Sequence, residues 1–70
     1  MKNEFAIIFD IPLDKPILKL KVNRALKAIH AKMVQRSIWK SEDFEDLEVI
    51  LDLIRRHGGK ANIIKWEVVK

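Results

Sequence analysis

Phe5-Ala6-Ile7-Ile8-Phe9-Asp10-Ile11-Pro12 is the stretch from which the rest of the chain is read. Five apolar residues lead into one carboxylate, and a proline stops the run just beyond. A short apolar block rich in Ile and Phe and closed by Pro reads as a buried strand. Alternation sends Phe5, Ile7 and Phe9 to one face and Ala6, Ile8 and Asp10 to the other. Neither face is polar before Asp10, so both are expected to be covered. A carboxylate at the end of such a strand is either the acceptor for the following turn or a working group.

The chain around this strand has 70 residues, which makes a single domain spanning 1–70. A chain of that size hides only about 60% of its unfolded surface. Yet 49% of its residues are hydrophobic, and no cysteine is present to staple the fold. Thiol chemistry, disulfides and Cys-ligated metals are excluded. A second copy of the chain is the simplest way to hide the surplus apolar area. No signal peptide and no apolar run of about 18 residues occurs, so a soluble, cytoplasmic protein is expected. The net charge is +4 and unevenly spread. Residues 1–40 hold nine Lys/Arg against three acids, and residues 41–70 hold five against seven. Positive charge gathered in one half points to a phosphate-rich partner; ordinary solubility is the plain alternative.

After Pro12, Asp14 sits where an N-cap belongs, with Pro16 in the first turn of a helix from about Lys15 to His30. Leu18, Val22, Ala25, Leu26 and Ile29 form its apolar stripe, Lys21, Arg24 and Lys27 project oppositely, and Ile17 and Leu20 fall outside the stripe. Met33 to Trp39 follows, either one strand or two short strands bent near Gln35 and Arg36; Val34 and Ile38 share one face, Gln35, Ser37 and Trp39 the other. Ser41 opens a second helix with the stripe Phe44, Leu47, Ile50, Leu51 and Ile54, stopped by Gly58-Gly59. The last strand spans Lys60 to Val69, with Ile64, Trp66 and Val68 on one face and Ile63, Lys65 and Glu67 on the other. His30 and His57 each close a helix, a place for a dipole partner rather than a metal ligand. No further ligands stand near either, which argues against zinc.

With the middle segment counted as a pair, the order is the ferredoxin-like βαββαβ plan, an α+β sandwich with an antiparallel sheet and two helices on one face. The covered face is expected to hold Phe5, Ile7, Phe9, Val34, Ile38, Ile64, Trp66 and Val68. The uncovered face would show Ala6, Ile8, Asp10, Ser37, Trp39 and Ile63. So much bare apolar surface calls for a partner. A sheet-to-sheet homodimer through Ala6, Ile8, Trp39 and Ile63 answers it, and brings two Asp10 side chains toward one two-fold axis.

Phe9-Asp10-Ile11, Asp14-Lys15, Lys19-Leu20 and Val34-Gln35-Arg36-Ser37-Ile38-Trp39 resemble the CRISPR-associated protein two family. Its pattern is a hydrophobic strand ending in Asp-Ile, a helix opened near Asp-Lys, and a later Val-Gln-x-Ser-Val-Phe. Here Ile38 and Trp39 stand for the usual Val and Phe, and a proline follows Asp10-Ile11. The resemblance spans roughly residues 4 to 69. The virulence-associated protein D toxins share the first Asp and a Ser-bearing strand more distantly. The resemblance implies a homodimer with facing Asp10 residues. It also implies a role in spacer acquisition beside a CRISPR integrase, and metal-dependent cleavage of RNA or DNA.

For that chemistry, magnesium wants about six oxygens and usually takes one or two carboxylates plus waters and phosphate oxygens. Two Asp10 carboxylates and a substrate phosphate meet that need, and the metal then activates water. Asp10 is thus the candidate metal ligand and catalytic acid, and Ser37 the catalytic hydroxyl that assists it. Trp39 either stacks or fills the interface. Lys15, Lys19, Lys21, Arg24, Lys27 and Arg36 are candidate contacts to a nucleic-acid backbone, each with the alternative of a solvated cation. Three functions compete: a magnesium-dependent nuclease, a non-catalytic nucleic-acid-binding subunit, and a protein-interaction module.

Overall fold

The computed structural model describes residues 3–67. Its elements are β1 (Glu4–Asp10), α1 (Pro16–Ala28), β2 (Lys32–Gln35), β3 (Ile38–Ser41), α2 (Phe44–Arg56) and β4 (Lys60–Trp66). The stretch Met33–Trp39 is therefore two strands joined at Arg36 and Ser37. The four strands form one sheet in the order β2-β3-β1-β4, with every neighbouring pair antiparallel. The architecture is α+β and broadly ferredoxin-like. Among the described residues no helix is long and apolar enough to cross a membrane.

Both helices lie over the sheet face that carries Ile7 and Phe9. Leu18, Val22 and Leu26 of α1 meet Leu47, Ile50 and Ile54 of α2 above Ile7, Phe9, Trp39 and Ala61. Of the stripes expected on the two helices these six are buried, Ala25, Ile29 and Leu51 pack partly buried against them, and Phe44 is 41% exposed. Phe5 sits at the rim of this core, its ring 5.1 Å from that of Phe44 in an edge-to-face contact.

The register corrects the expected membership of the two faces. Ile7 stands opposite both Trp39 and Ile63, so these two belong to the covered face. Trp39 is only 6% exposed within one protomer and cannot line a dimer interface. Ile38 and Ile64, expected in the core, stand opposite Ile8 and Ala6 on the bare face, with Trp66 opposite Glu4. Two causes are physical. Ile63 and Ile64 are adjacent, so alternation alone cannot choose between them. The β2–β3 register slips between Met33 and Gln35, which leaves Val34 as an extra residue and breaks the period running into β3. Trp39 carries more apolar area than Ile38, and its indole N–H is satisfied by donating to the Arg36 carbonyl at 3.3 Å, so burying it is favoured. Val68 lies outside the described residues.

Both helix N-termini differ from expectation: Lys15, not Asp14, precedes α1, which spans Pro16–Ala28 where Lys15 to His30 is expected, and Asp43, not Ser41, caps α2. In α1 Lys15 occupies the cap position, and no side chain satisfies the first-turn amides. α2 is capped by Asp43, whose carboxylate accepts the Asp46 N–H at 3.1 Å, while Ser41 accepts the Asp43 N–H one step earlier. Both C-termini close with the paired bonds of a Schellman turn. In α1 the His30 and Ala31 amides donate to Lys27 and Leu26; in α2 the Gly58 and Gly59 amides donate to Arg55 and Ile54. The residue that must take positive φ is Gly58 in α2 but His30 in α1, at 61°.

Candidate functional site

The C-terminal end of β1 is where three connections meet. The chain leaves β1 through Ile11–Lys15 into α1, turns between β2 and β3 at Arg36 and Ser37, and re-enters the sheet from α2 through His57–Gly59. The Phe9 amide donates to the Ser37 carbonyl at 3.0 Å, which extends the β1–β3 pairing and holds the turn beside Asp10. Gly59 seals the other side. A Cβ there would stand 2.6 Å from Ile54 Cγ2 and 3.1 Å from the Asp10 carbonyl, so only glycine fits this approach. Arg55 anchors the same corner, its guanidinium donating twice to the Ala61 carbonyl and once to Asn62 Oδ1.

The first two connections border a cleft of about 350 Å³ lined by Asp10, Ser37, Lys15, Lys19 and Arg36 together with Phe9, Ile11, Pro12, Leu13 and Pro16. Five of the eight residues proposed from sequence as catalytic or phosphate contacts therefore converge. Lys21, Arg24 and Lys27 do not line it. Lys21 borders a smaller hollow of about 240 Å³ with Lys15, Asp14 and His57, and Arg24 and Lys27 lie exposed further along α1.

Lys60 is the residue that sequence reading missed. It stands directly opposite Asp10 across β1–β4, so its side chain emerges on the same face. Alternation from Lys60 through the Ile63-Ile64 pair is ambiguous, and only the register with β1 places it there. Around Asp10 are thus Lys15, Lys19, Arg36 and Lys60. Among the described residues no ion pair or hydrogen bond engages the Asp10 carboxylate, the Ser37 hydroxyl or any of these four cations.

Such a donor set does not fit a magnesium ion within one protomer. One carboxylate and one hydroxyl fall far short of about six oxygens, and surrounding ammonium and guanidinium groups repel a dication. Among the described residues no group of three His, Asp or Glu side chains stands close enough to hold a metal. Ser37 has no histidine hydrogen-bonded to it as a base. The arrangement suits an anion better: several unpaired cations, one of them a guanidinium able to grip two phosphate oxygens, around an open cleft.

The sheet face beyond the cleft is bare. Ile8 (38% exposed), Ile64 (43%), Ile38 and Trp66 give it an apolar strip. Lys40 reaches over that strip, 5.8 Å from the Trp66 ring centre and 3.7 Å from the Glu4 carboxylate. Ala6 belongs to the same face but is fully shielded within the protomer. No protein-family model matches the chain, and no curated protein is significantly similar to it.

Proposed function

We propose that the protein binds the phosphodiester backbone of a nucleic acid through the Asp10 cleft, as a non-catalytic subunit of the kind the CRISPR-adaptation resemblance implies. The observation that carries this reading is the gathering of Lys15, Lys19 and Arg36 with Asp10 in one cleft, with Lys60 paired to Asp10 across the neighbouring strand. Four cations against Asp10 favour a polyanion, and contacts of this type read backbone and not base edges. The bare strip of Ile8, Ile38, Ile64 and Trp66 supports a homodimer through the sheet face, with the two clefts on one assembly. A dimer would let a strand or duplex span both clefts, which raises affinity over either alone.

A magnesium-dependent nuclease in defence against invading nucleic acid is the competing reading, and it needs the partner copy's Asp10 to complete the donor set. No step is assigned to a metal, because one protomer lacks the oxygens to hold it. Two measurements separate these readings. Fluorescence anisotropy with duplex DNA, duplex RNA and single strands, from about 50 to 200 mM salt, is expected to show a log–log slope of about −3 to −4, near one for each of the three cations of the cleft and Lys60 beside Asp10. A flat salt response returns the chain to the protein-interaction reading. Cleavage assays with wild type and Asp10→Asn, in magnesium and in EDTA, test catalysis: magnesium-dependent cutting lost in Asp10→Asn would replace the binding-subunit reading with the nuclease.

A further inference from the structure

The helix layer has an outer surface of its own, and its two helices carry opposite charge. α1 holds Lys19, Lys21, Arg24 and Lys27 and no acid. α2 holds Glu45, Asp46, Glu48 and Asp52. Its two arginines are already engaged, Arg55 with the Ala61 carbonyl and Arg56 with Asp52 at 3.2 Å, which also spends Asp52, so Glu45, Asp46 and Glu48 carry the surplus negative charge. Each outward stripe also carries an unshielded aliphatic side chain. On α1 Leu20, Arg24 and Lys27 recur at i, i+4 and i+7, opposite the buried Leu18, Val22 and Leu26; on α2 Glu45, Val49 and Asp52 do the same, opposite Leu47, Ile50 and Ile54. Ile17 is 69% exposed, Leu20 49% and Val49 70%.

We infer that this layer is a second self-association surface, on which α1 of one copy lies against α2 of another. Charge and symmetry select this arrangement. The strands alternate in direction, so α1 leaves the Asp10 end of the sheet and α2 returns to it; the helices are antiparallel. A two-fold axis running parallel to the helices, between two facing layers, sets α1 of each copy over α2 of the other. It keeps those pairs antiparallel, with Lys27 toward Glu45 and Leu20 toward Val49 and Asp52. A two-fold perpendicular to the helices sets α1 on α1 and α2 on α2, where like charges repel. The charge pattern therefore selects the first axis.

Size sets the strength. Two helices of 13 residues are each about 20 Å long, and at a spacing of about 10 Å they offer a footprint of about 400 Å² a side. That is half of the roughly 800 Å² per partner of a standard interface, so the contact is weak alone and sensitive to salt. It leaves the Asp10 cleft and the bare sheet face free, and so stands or falls separately from the nucleic-acid reading.

The chain has no cysteine, which makes introduced thiols unambiguous reporters. Leu20→Cys and Val49→Cys chains are mixed and treated with a short bifunctional thiol crosslinker. The mixture is expected to give several-fold more crosslinked dimer than either chain alone, and less when about 0.5 M salt is added. Lys27→Glu or Glu45→Lys in both chains should lower that yield several-fold, and the two changes together in both chains should restore it. Ile8→Cys, on the sheet face, reports that other contact independently. Self-crosslinking of Leu20→Cys equal to that of the mixture, or a yield indifferent to the charge reversals, overturns the inference.

Discussion

β1 begins and ends on a carboxylate, and the two ends behave differently. Glu4 is paired: Lys40 stands 3.7 Å from it and also covers Trp66, so its charge is spent within the fold. Asp10 faces Lys60 and stands near Lys15, Lys19 and Arg36, yet no ion pair holds its carboxylate among the described residues. A lysine already committed to an acid has little left for a ligand. Cations that share one acid between four of them keep a net positive field, and the cleft holding three of them concentrates it. The comparison teaches that the position of surplus charge matters more here than its amount, because the net charge of +4 alone says nothing about which end binds.

The largest effect available bears on the sheet phase that creates both ends. Trp39→Ala should cost about 3–5 kcal/mol in urea or thermal unfolding, whereas Ile38→Ala, on the bare face, should cost much less. Equal losses would mean that the strand is turned over. Next, the triple change Lys19→Gln, Arg36→Gln and Lys60→Gln should weaken duplex binding about 100-fold at low salt and flatten the salt slope by about three, one for each cation removed. Lys32→Gln with Lys40→Gln at the Glu4 end should change binding far less. A smaller effect tests a helix end near Glu4. His30 takes a left-handed conformation that Gly58 supplies freely in the matching turn of α2, so His30→Gly should raise stability by about 1 kcal/mol. The smallest is Glu4→Gln itself, a partly exposed pair whose loss should cost at most about 0.5 kcal/mol and leave binding unchanged.

Much of the fold was legible in the sequence. Two apolar stripes at helical spacing, the Gly58-Gly59 stop and the Ile/Phe block of β1 each follow from local rules, and together they fix the element order. The pairing of Asp10 with Arg36 and Ser37 was also reachable, since a β2–β3 turn must lie beside the end of a central β1. The sheet phase was not legible. Ile63-Ile64 offers both faces an isoleucine, and the bulge at Val34 shifts the period before Trp39. For the same reason Lys60 is not legible: its place beside Asp10 depends on a register, and register is a long-range property. Lys21, Arg24 and Lys27 cannot be told from the cleft cations in the sequence, because charge along a sequence does not reveal which side of a helix end it falls on.

At the centre of the proposal is a cleft whose cations hold phosphate, with Asp10 opposing the ligand and not serving it. The most direct measurement is the dissociation constant of a short duplex for wild type and Asp10→Asn, both in EDTA. The expected result is that binding persists without divalent metal and that Asp10→Asn binds as tightly or a few-fold more tightly, since one negative charge has left the path of the backbone. A tenfold or greater loss in Asp10→Asn, or wild-type binding that appears only when magnesium is restored, would contradict it.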